Sequence, residues 1–137
     1  MFNRIIEIKT IREKIAGLSA VESELSKPAL SNFDYIDTIY QWFVELSAQG
    51  PKRDNATLRK EFIFIILYLY SPGSLAGGKM KSGLRNKIAE ALGVKAMSAV
   101  SNKLDSITFS YKLYKYFRQD LNRILSGIQE RLDNGNL

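Results

Sequence analysis

Apolar side chains recur every three or four residues along most of this chain, which is the period that places them on one face of an α-helix. The helices predicted from this pattern cover about residues 3–18, 32–48, 56–71, 83–92, 96–107 and 110–132. Residues 20–25 either extend the first helix past Gly17 or form a separate turn. No pair of segments carries a hairpin signal for strands. The pattern predicts an all-α, single-domain helical bundle of about five to six helices over residues 1–137.

Polar and glycine residues mark several of the expected helix ends. Ser31 and Asp34 have the spacing of a capping box, and Asp54 or the asparagine after it can cap the third helix. Ser82 is the expected cap of the fourth helix. Gly93 supplies the left-handed residue that ends that helix.

The run Phe62–Tyr70 is apolar on every side, so periodicity alone allows either a buried helix or a strand. We favour a helix, because the polar residues before it lead into it without a break and no second strand is available for pairing. Trp42 lies beside the aromatic stripe of the second helix, and burial in the core is its expected role.

Residues 79–107 have the pattern of two short helices joined by a tight turn, as in a helix-turn-helix unit. Ala89 and Gly93 match the first helix and turn of that motif, and Val100 with Leu104 matches its recognition helix. Val100 follows Gly93 by seven residues where six are expected. The same periodicity is also compatible with a plain helical hairpin that belongs to the core.

The candidate nucleic-acid-binding residues lie on or beside this unit and at the start of the last helix. Small outward-facing side chains let a helix enter a groove, flanking cations hold phosphates, and an asparagine amide can make a bidentate contact to adenine. The last helix begins with alternating aromatic and cationic residues, whose cations line up at helical spacing. The candidates are Lys79, Lys81, Arg85, Lys95, Ser98, Asn102, Lys103, Lys112, Lys115 and Arg118.

Positive charge is concentrated in one part of the chain. The N-terminal helices, residues 1–50, hold five basic and seven acidic side chains, whereas residues 51–137 hold fifteen basic and seven acidic ones, a balance of +8. A surface that binds a polyanion is therefore expected in the later part, which includes the helix-turn-helix-like unit.

Composition argues against catalysis. The chain has no cysteine and no histidine, which removes thiolate nucleophiles, the usual general base and the commonest metal ligands. The sequence Gly73-x-x-x-x-Gly78-Lys79 approaches a phosphate-binding loop, but Met80 stands where that motif needs a hydroxyl for magnesium. We expect no enzyme, no catalytic residue, no cofactor, no metal and no small-molecule substrate.

The N-terminus contains acidic residues every few positions and lacks the apolar core of a signal peptide. The longest apolar run has nine residues, which is about half of what a bilayer span requires. We therefore expect a cytoplasmic protein that does not contact a membrane.

Four segments between residues 58 and 93 resemble a group of short helical proteins carried by bacterial prophages and mobile elements. These segments are Leu58-Arg-Lys-Glu-Phe62, Ser74-Leu-Ala-Gly-Gly-Lys-Met80, Gly83-Leu-Arg85 and Ala91-Leu-Gly93. The resemblance implies a small helical protein with a DNA-binding hairpin, and no established activity comes with it.

These patterns together predict a protein that binds nucleic acid, in the form of double-stranded DNA, through residues 95–106. A homodimer is also expected, because recognition helices usually act in pairs on two half-sites. An alternative is a module for protein interaction, which oligomerises through the apolar faces of the last helix and of residues 33–46. RNA binding through the tyrosine- and lysine-rich start of the last helix is a third possibility.

Overall fold

The computed structural model describes residues 2–94 and 103–135, and the regular structure in these ranges is helical throughout, with no strand. The seven α-helices in these ranges are α1 (Asn3–Leu25), α2 (Ile36–Ala48), α3 (Asn55–Tyr70), α4 (Pro72–Leu75), α5 (Leu84–Leu92), α6 (Leu104–Leu113) and α7 (Lys115–Asp133). A single 3₁₀ turn, Phe33–Tyr35, leads into α2. The predicted all-α class is confirmed, with slightly more helices than the pattern indicated.

Helix α3 lies at the centre of the bundle. Helices α2, α4, α5, α6 and α7 all contact it. Of the apolar run Phe62–Tyr70, only Phe64 and Tyr68 retain substantial solvent exposure. The helical interpretation of this run is therefore confirmed, because contacts on all sides bury a surface that is apolar on all sides.

The apolar stripes of α2 and α7 face each other and α3 in the same core. The buried apolar residues from these two helices are Ile36, Ile39, Trp42, Phe43, Phe117, Leu121, Ile124 and Ile128. The expected core position of Trp42 is confirmed. These side chains already have partners within the chain, and oligomerisation through these two helices stays a prediction.

Local hydrogen bonds fix the starts of α3 and of the 3₁₀ turn that leads into α2. The Asn32 side chain accepts a hydrogen bond from the backbone N–H of Asp34 at 3.0 Å, so the cap is Asn32 and not Ser31. Asp54 accepts from the backbone N–H of Thr57 at 2.7 Å, as expected. Hydrogen bonds from the backbone N–H and the side chain of Thr57 lower the pKa of Asp54.

Glycines bound α5 at both ends. The helix begins after Gly83, which has φ of 82° and makes no side-chain cap, so the expected cap by Ser82 is wrong. Gly93 ends the helix with φ of 72°, as predicted. Positive φ is strained for other residues, which explains why glycine stands at both ends.

In the described part of the chain after residue 103, the helix boundaries differ from the predicted ones. Helix α6 begins at Leu104 and continues to Leu113, so an end near residue 107 and a new start at residue 110 are both wrong. The chain then becomes extended at Tyr114, with ψ of 112°, before α7 begins. Arg118 Nη1 donates to the carbonyl oxygens of Tyr111 and Lys112, at 2.7 and 2.9 Å. These bonds replace part of the helical hydrogen bonding that α6 lacks at its end.

Aromatic packing accompanies this break. Tyr111 stacks on Phe64 with ring centroids 5.0 Å apart, and Phe117 meets the edge of the same ring at 6.3 Å. A continuous helix would rotate these two residues to different faces, because they are six positions apart. Leu113, at the bend, is 60% exposed.

The loop that approaches a phosphate-binding motif has another structure. It follows a helix rather than a strand, and residues Pro72–Leu75 form the short helix α4. The N–H of Gly78 donates to the carbonyl oxygen of Gly73 at 2.9 Å, which closes the loop on itself. A Cβ at Gly78 would lie 2.8 Å from that oxygen, so the close approach requires glycine. The strand that a phosphate loop needs is missing from this part of the chain.

Helix α1 extends past Gly17 to Leu25 as one 23-residue helix, which resolves the alternative for residues 20–25. None of its side chains is buried. Although α1 has the length of a bilayer span, no helix in the described ranges is both long enough and apolar enough to cross a membrane.

Two glycines inside helices give a matched test of this packing. A Cβ at Gly17 would meet nothing within 4 Å, whereas a Cβ at Gly127 would lie 2.7 and 2.8 Å from the two Cδ atoms of Leu46. Gly17→Ala should stabilise α1 by about 0.5–1 kcal/mol. Gly127→Ala gains the same helix propensity but should lose on the order of 1–3 kcal/mol by overpacking Leu46. Urea unfolding of both variants, with helicity from circular dichroism, should rank Gly17→Ala above Gly127→Ala, and equal stabilities would contradict this packing.

Candidate nucleic-acid interface

Three of the predicted cations lie around the start of α5. Lys79, Lys81 and Arg85 line one open cavity of about 630 Å³ together with Ser82, Gly83 and Asn86. All three side chains belong to exposed residues. The first backbone N–H groups of a helix lack partners within that helix, so this end of α5 adds partial positive charge to the three cations. The arrangement has the charge needed to hold a phosphate group.

A second group of cations joins α3 to α6. Arg59 and Lys60 lie in the first half of α3, and Lys103 immediately precedes α6, which packs against α3. Burial lowers the pKa of Lys103, and the nearby charges of Arg59 and Lys60 lower it further. Among the described residues, none of these three cations forms an ion pair with a carboxylate. Like charges held together in this way repel each other, and a bound anion would relieve the repulsion.

The remaining described candidates do not form the single helical face that the sequence pattern predicted. Lys112 is on α6 and Lys115 is the first residue of α7, with the extended Tyr114 between them. Arg118 uses its guanidinium group to hold the end of α6. Lys112 and Lys115 are exposed and remain available for contacts.

Three of the candidate nucleic-acid-binding residues, Lys95, Ser98 and Asn102, lie outside the described residues. Their roles, and the helix-turn-helix arrangement of residues 79–107, therefore remain predictions. The described parts on either side are the end of α5 and the start of α6.

Two acidic side chains come together in the interior, where α3 packs against α7. Glu61 on α3 is 1% exposed, and Asp120 on α7 is 4% exposed. Arg53 Nε donates to Asp120 Oδ2 at 2.8 Å, and its guanidinium carbon lies 4.6 Å from the ring centroid of Tyr116. Neither carboxylate oxygen of Glu61 has a donor partner among the described residues.

The surroundings of Glu61 and Asp120 shift the pKa values of the two carboxyl groups in opposite directions. Burial and the adjacent Asp120 raise the pKa of Glu61 to about 8. Burial acts to raise the pKa of Asp120, but hydrogen bonds with Arg53 and Glu61 and the charges of Arg53 and Arg123 together outweigh it, so the pKa of Asp120 is lowered. A carboxylate can only accept hydrogen bonds, so Glu61 and Asp120 can bond to each other only when Glu61 carries a proton. At neutral pH the pair therefore holds one proton and one negative charge, which Arg53 balances.

A pair of carboxyl groups with separated pKa values is also a pattern found in acid–base catalysis. Here the two groups are almost completely enclosed, so a substrate has no access to either proton. The described residues contain no cluster of three or more acidic side chains able to hold a metal ion. The geometry identifies the pair as part of the folded core.

The sequence analysis did not identify Arg59, Lys60 or this pair. Asp120 occupies a position three residues after Phe117 and therefore lies on the apolar stripe of α7, and Glu61 directly precedes the apolar run of α3. An acid on an apolar face is the signal that could have indicated burial. Nothing local in the sequence shows that residues 61 and 120 meet.

Comparisons with known proteins identify no relative of this chain. None of the protein-family models matches the chain, and comparison with curated proteins and with solved structures finds no match either.

Proposed function

We propose that this protein binds double-stranded DNA, with the basic surface of the chain from residue 51 onward placed against the phosphates. The observation that carries this proposal is the group of Arg59, Lys60 and Lys103, three cations brought close together where α6 packs against α3, none of which forms an ion pair with a described carboxylate. Phosphates along a duplex supply closely spaced negative charges that such a cluster would neutralise.

The buried pair of Glu61 and Asp120 affects the charge balance of the same part of the chain. Residues 51–137 carry a formal balance of +8, and protonation of Glu61 raises it to +9. Asp120 is also enclosed, with its charge directed to Arg53. The interior thus takes up two of the seven acidic side chains in this part of the chain, whereas cations such as Lys79, Lys81 and Arg85 remain exposed.

Duplex DNA is favoured over single-stranded RNA because the exposed tyrosines at the junction of α6 and α7 already have aromatic partners. Tyr114 stacks on Tyr116 with centroids 5.7 Å apart, and Tyr111 stacks on Phe64. Single-stranded nucleic acids bind largely through bases stacked on free aromatic rings. Following the resemblance to prophage and mobile-element proteins, we propose that the DNA-bound protein acts as a regulator of such an element.

Two charge-neutralising double variants test the location of the interface. Arg59→Gln/Lys103→Gln should reduce the slope of log affinity against log salt by about 0.9 for each phosphate that the protein no longer neutralises, in gel shifts on random duplex at several salt concentrations. Lys9→Gln/Lys27→Gln removes the same charge from the N-terminal part and should leave the slope unchanged.

Equal effects of the two double variants would show that binding follows net charge alone and would contradict this interface. Tighter binding of single-stranded RNA than of duplex DNA, in the same assay, would instead support the tyrosine- and lysine-rich surface. No shift with any nucleic acid would overturn the proposal.

A further inference from the structure

Helix α1 presents an apolar face that the described remainder of the chain leaves largely exposed, although Leu18 also lines a cavity together with Pro72 and Ala76. Ile8, Ile11, Ile15 and Leu18 are each between 47% and 71% exposed. In most proteins a helix obtains its stability by burying such a face, and contiguous exposed apolar surface usually marks an interaction site. The 23 residues of α1 give a surface about 35 Å long.

The spacing on this face is that of a coiled coil. The four residues follow each other at intervals of three, four and three, so that Ile8 and Ile15 occupy a positions and Ile11 and Leu18 occupy d positions. Isoleucine at a together with leucine at d, as in Ile15 and Leu18, favours two parallel strands. A second copy of the same helix can therefore complete this pattern of apolar positions.

Charges beside the apolar face favour the same arrangement. In a parallel pair, a g position faces the next e position of the other helix, which places Glu7 beside Arg12 of the second copy. An antiparallel pair that aligns the same four apolar residues places Arg12 beside Arg12 and Lys14 beside Lys14, which is repulsive. Arg4 and Glu22 occupy the next d and a positions and bound the apolar segment at its two ends.

We propose that α1 is a dimerisation helix, which pairs in parallel and in register with α1 of a second copy of this chain. The charge complementarity of Glu7 and Arg12 and the identity of the a and d residues select this partner. The proposal does not depend on DNA binding, and its tests contain no nucleic acid.

Two substitutions to glutamate test whether the exposed apolar face of α1 is a dimer interface. Ile11 lies at the centre of the apolar face, and Ile6 lies at an f position on the opposite side, with 54% and 64% exposure. The unmodified chain should sediment as a dimer at micromolar concentration. Ile11→Glu should raise the dimer dissociation constant by about tenfold or more, because a charge would be buried in the apolar layer of each helix. Ile6→Glu should leave the dimer unchanged.

Engineered cysteines test the orientation, since the chain has no cysteine of its own. Under mild oxidation, Ile8→Cys should form a disulfide-linked dimer, whereas Ile6→Cys should not, because a positions face each other in a parallel pair and f positions point away. Antiparallel helices would place residue 8 opposite the C-terminal half of the other helix and give no crosslink.

A monomeric mass for the unmodified chain at all concentrations would overturn the proposal. It would also be overturned by a dimer that Ile11→Glu leaves intact, or by a failure of Ile8→Cys to crosslink. Circular dichroism of each variant shows whether α1 remains helical when the pairing is disrupted.

Discussion

Replacing Glu61 by glutamine is expected to remove most of the loss of folding stability that the unmodified protein suffers between about pH 5 and pH 8. Burial, together with Asp120, raises the pKa of Glu61 to about 8, against about 4.5 in an unfolded chain. The proton that Glu61 keeps in the fold stabilises the folded state fully below the unfolded value. This contribution declines as the pH rises and is lost once the pH passes the folded value.

The size of this effect follows from the linkage between proton binding and folding. Each unit of difference in pKa corresponds to about 1.4 kcal/mol, so the loss for Glu61 is at most on the order of 5 kcal/mol. Glutamine is neutral at every pH, has nearly the same shape, and can donate its amide N–H to Asp120. The variant should therefore show a nearly level stability profile over this range and exceed the unmodified protein at pH 8.

Urea unfolding at half-unit pH intervals from about pH 4 to pH 9, a range that brackets both pKa values, measures the two profiles. Glu130→Gln, which removes an exposed carboxylate from α7, serves as the control and should follow the unmodified profile. If the stability of the unmodified protein does not fall between about pH 5 and pH 8, Glu61 is ionised in the fold and the proton-sharing pair is wrong.

Asp120→Asn should have the second large effect, a loss of about 2–3 kcal/mol at pH 7, because it leaves the partly buried Arg53 without its anionic partner. The value is at the low end for a buried ion pair, since the Arg53 side chain is 26% exposed and water screens part of its charge. The pKa of Asp120 is lowered in the fold, so its contribution is present above the unfolded value and is lost as the pH falls. The variant and the unmodified protein should therefore converge in acid.

The exposed ion pair between Arg131 and Glu45 provides the comparison for this experiment. Its atoms Nη1 and Oε2 are 2.7 Å apart, but the Glu45 side chain is 59% exposed. Glu45→Gln should cost less than about 1 kcal/mol, because solvent screens an exposed pair. If Asp120→Asn costs no more than Glu45→Gln, the ion pair of Arg53 and Asp120 does not contribute the stability assigned to it here.

The helices and their buried faces were largely accessible from the sequence. Periodicity is a local property, and it located α2, α3, α5 and the greater part of α7, including the burial of most of the run Phe62–Tyr70. Capping chemistry is local as well, so Asp54 and Gly93 were predicted correctly. Charge counting located the basic part of the chain, and three exposed cations of the predicted set do line one cavity at the start of α5.

The break at Tyr114 could not be predicted, because no proline or glycine marks it. Its stabilising interactions are the hydrogen bonds from Arg118 and the packing of two rings on Phe64, which lies 50 residues before Tyr114 in the chain. The periodic pattern on either side remained intact and therefore indicated one continuous helix. The consequence for the candidate interface is that Lys112 and Lys115 belong to different helices.

The sequence by itself determined the class of fold, most of the helices, and the sign and location of the surface charge, since each of these follows from residue types and local spacing. The tertiary structure alone decided which apolar faces are covered, so α2 and α7 are buried whereas α1 is open. It also decided that Glu61 meets Asp120, which are 59 positions apart in the sequence, and that Arg59 and Lys60 lie near Lys103. A periodic pattern indicates that a helix face is apolar, but it does not indicate which element packs against that face. The pKa of an acidic side chain likewise depends on the neighbours that folding brings to it.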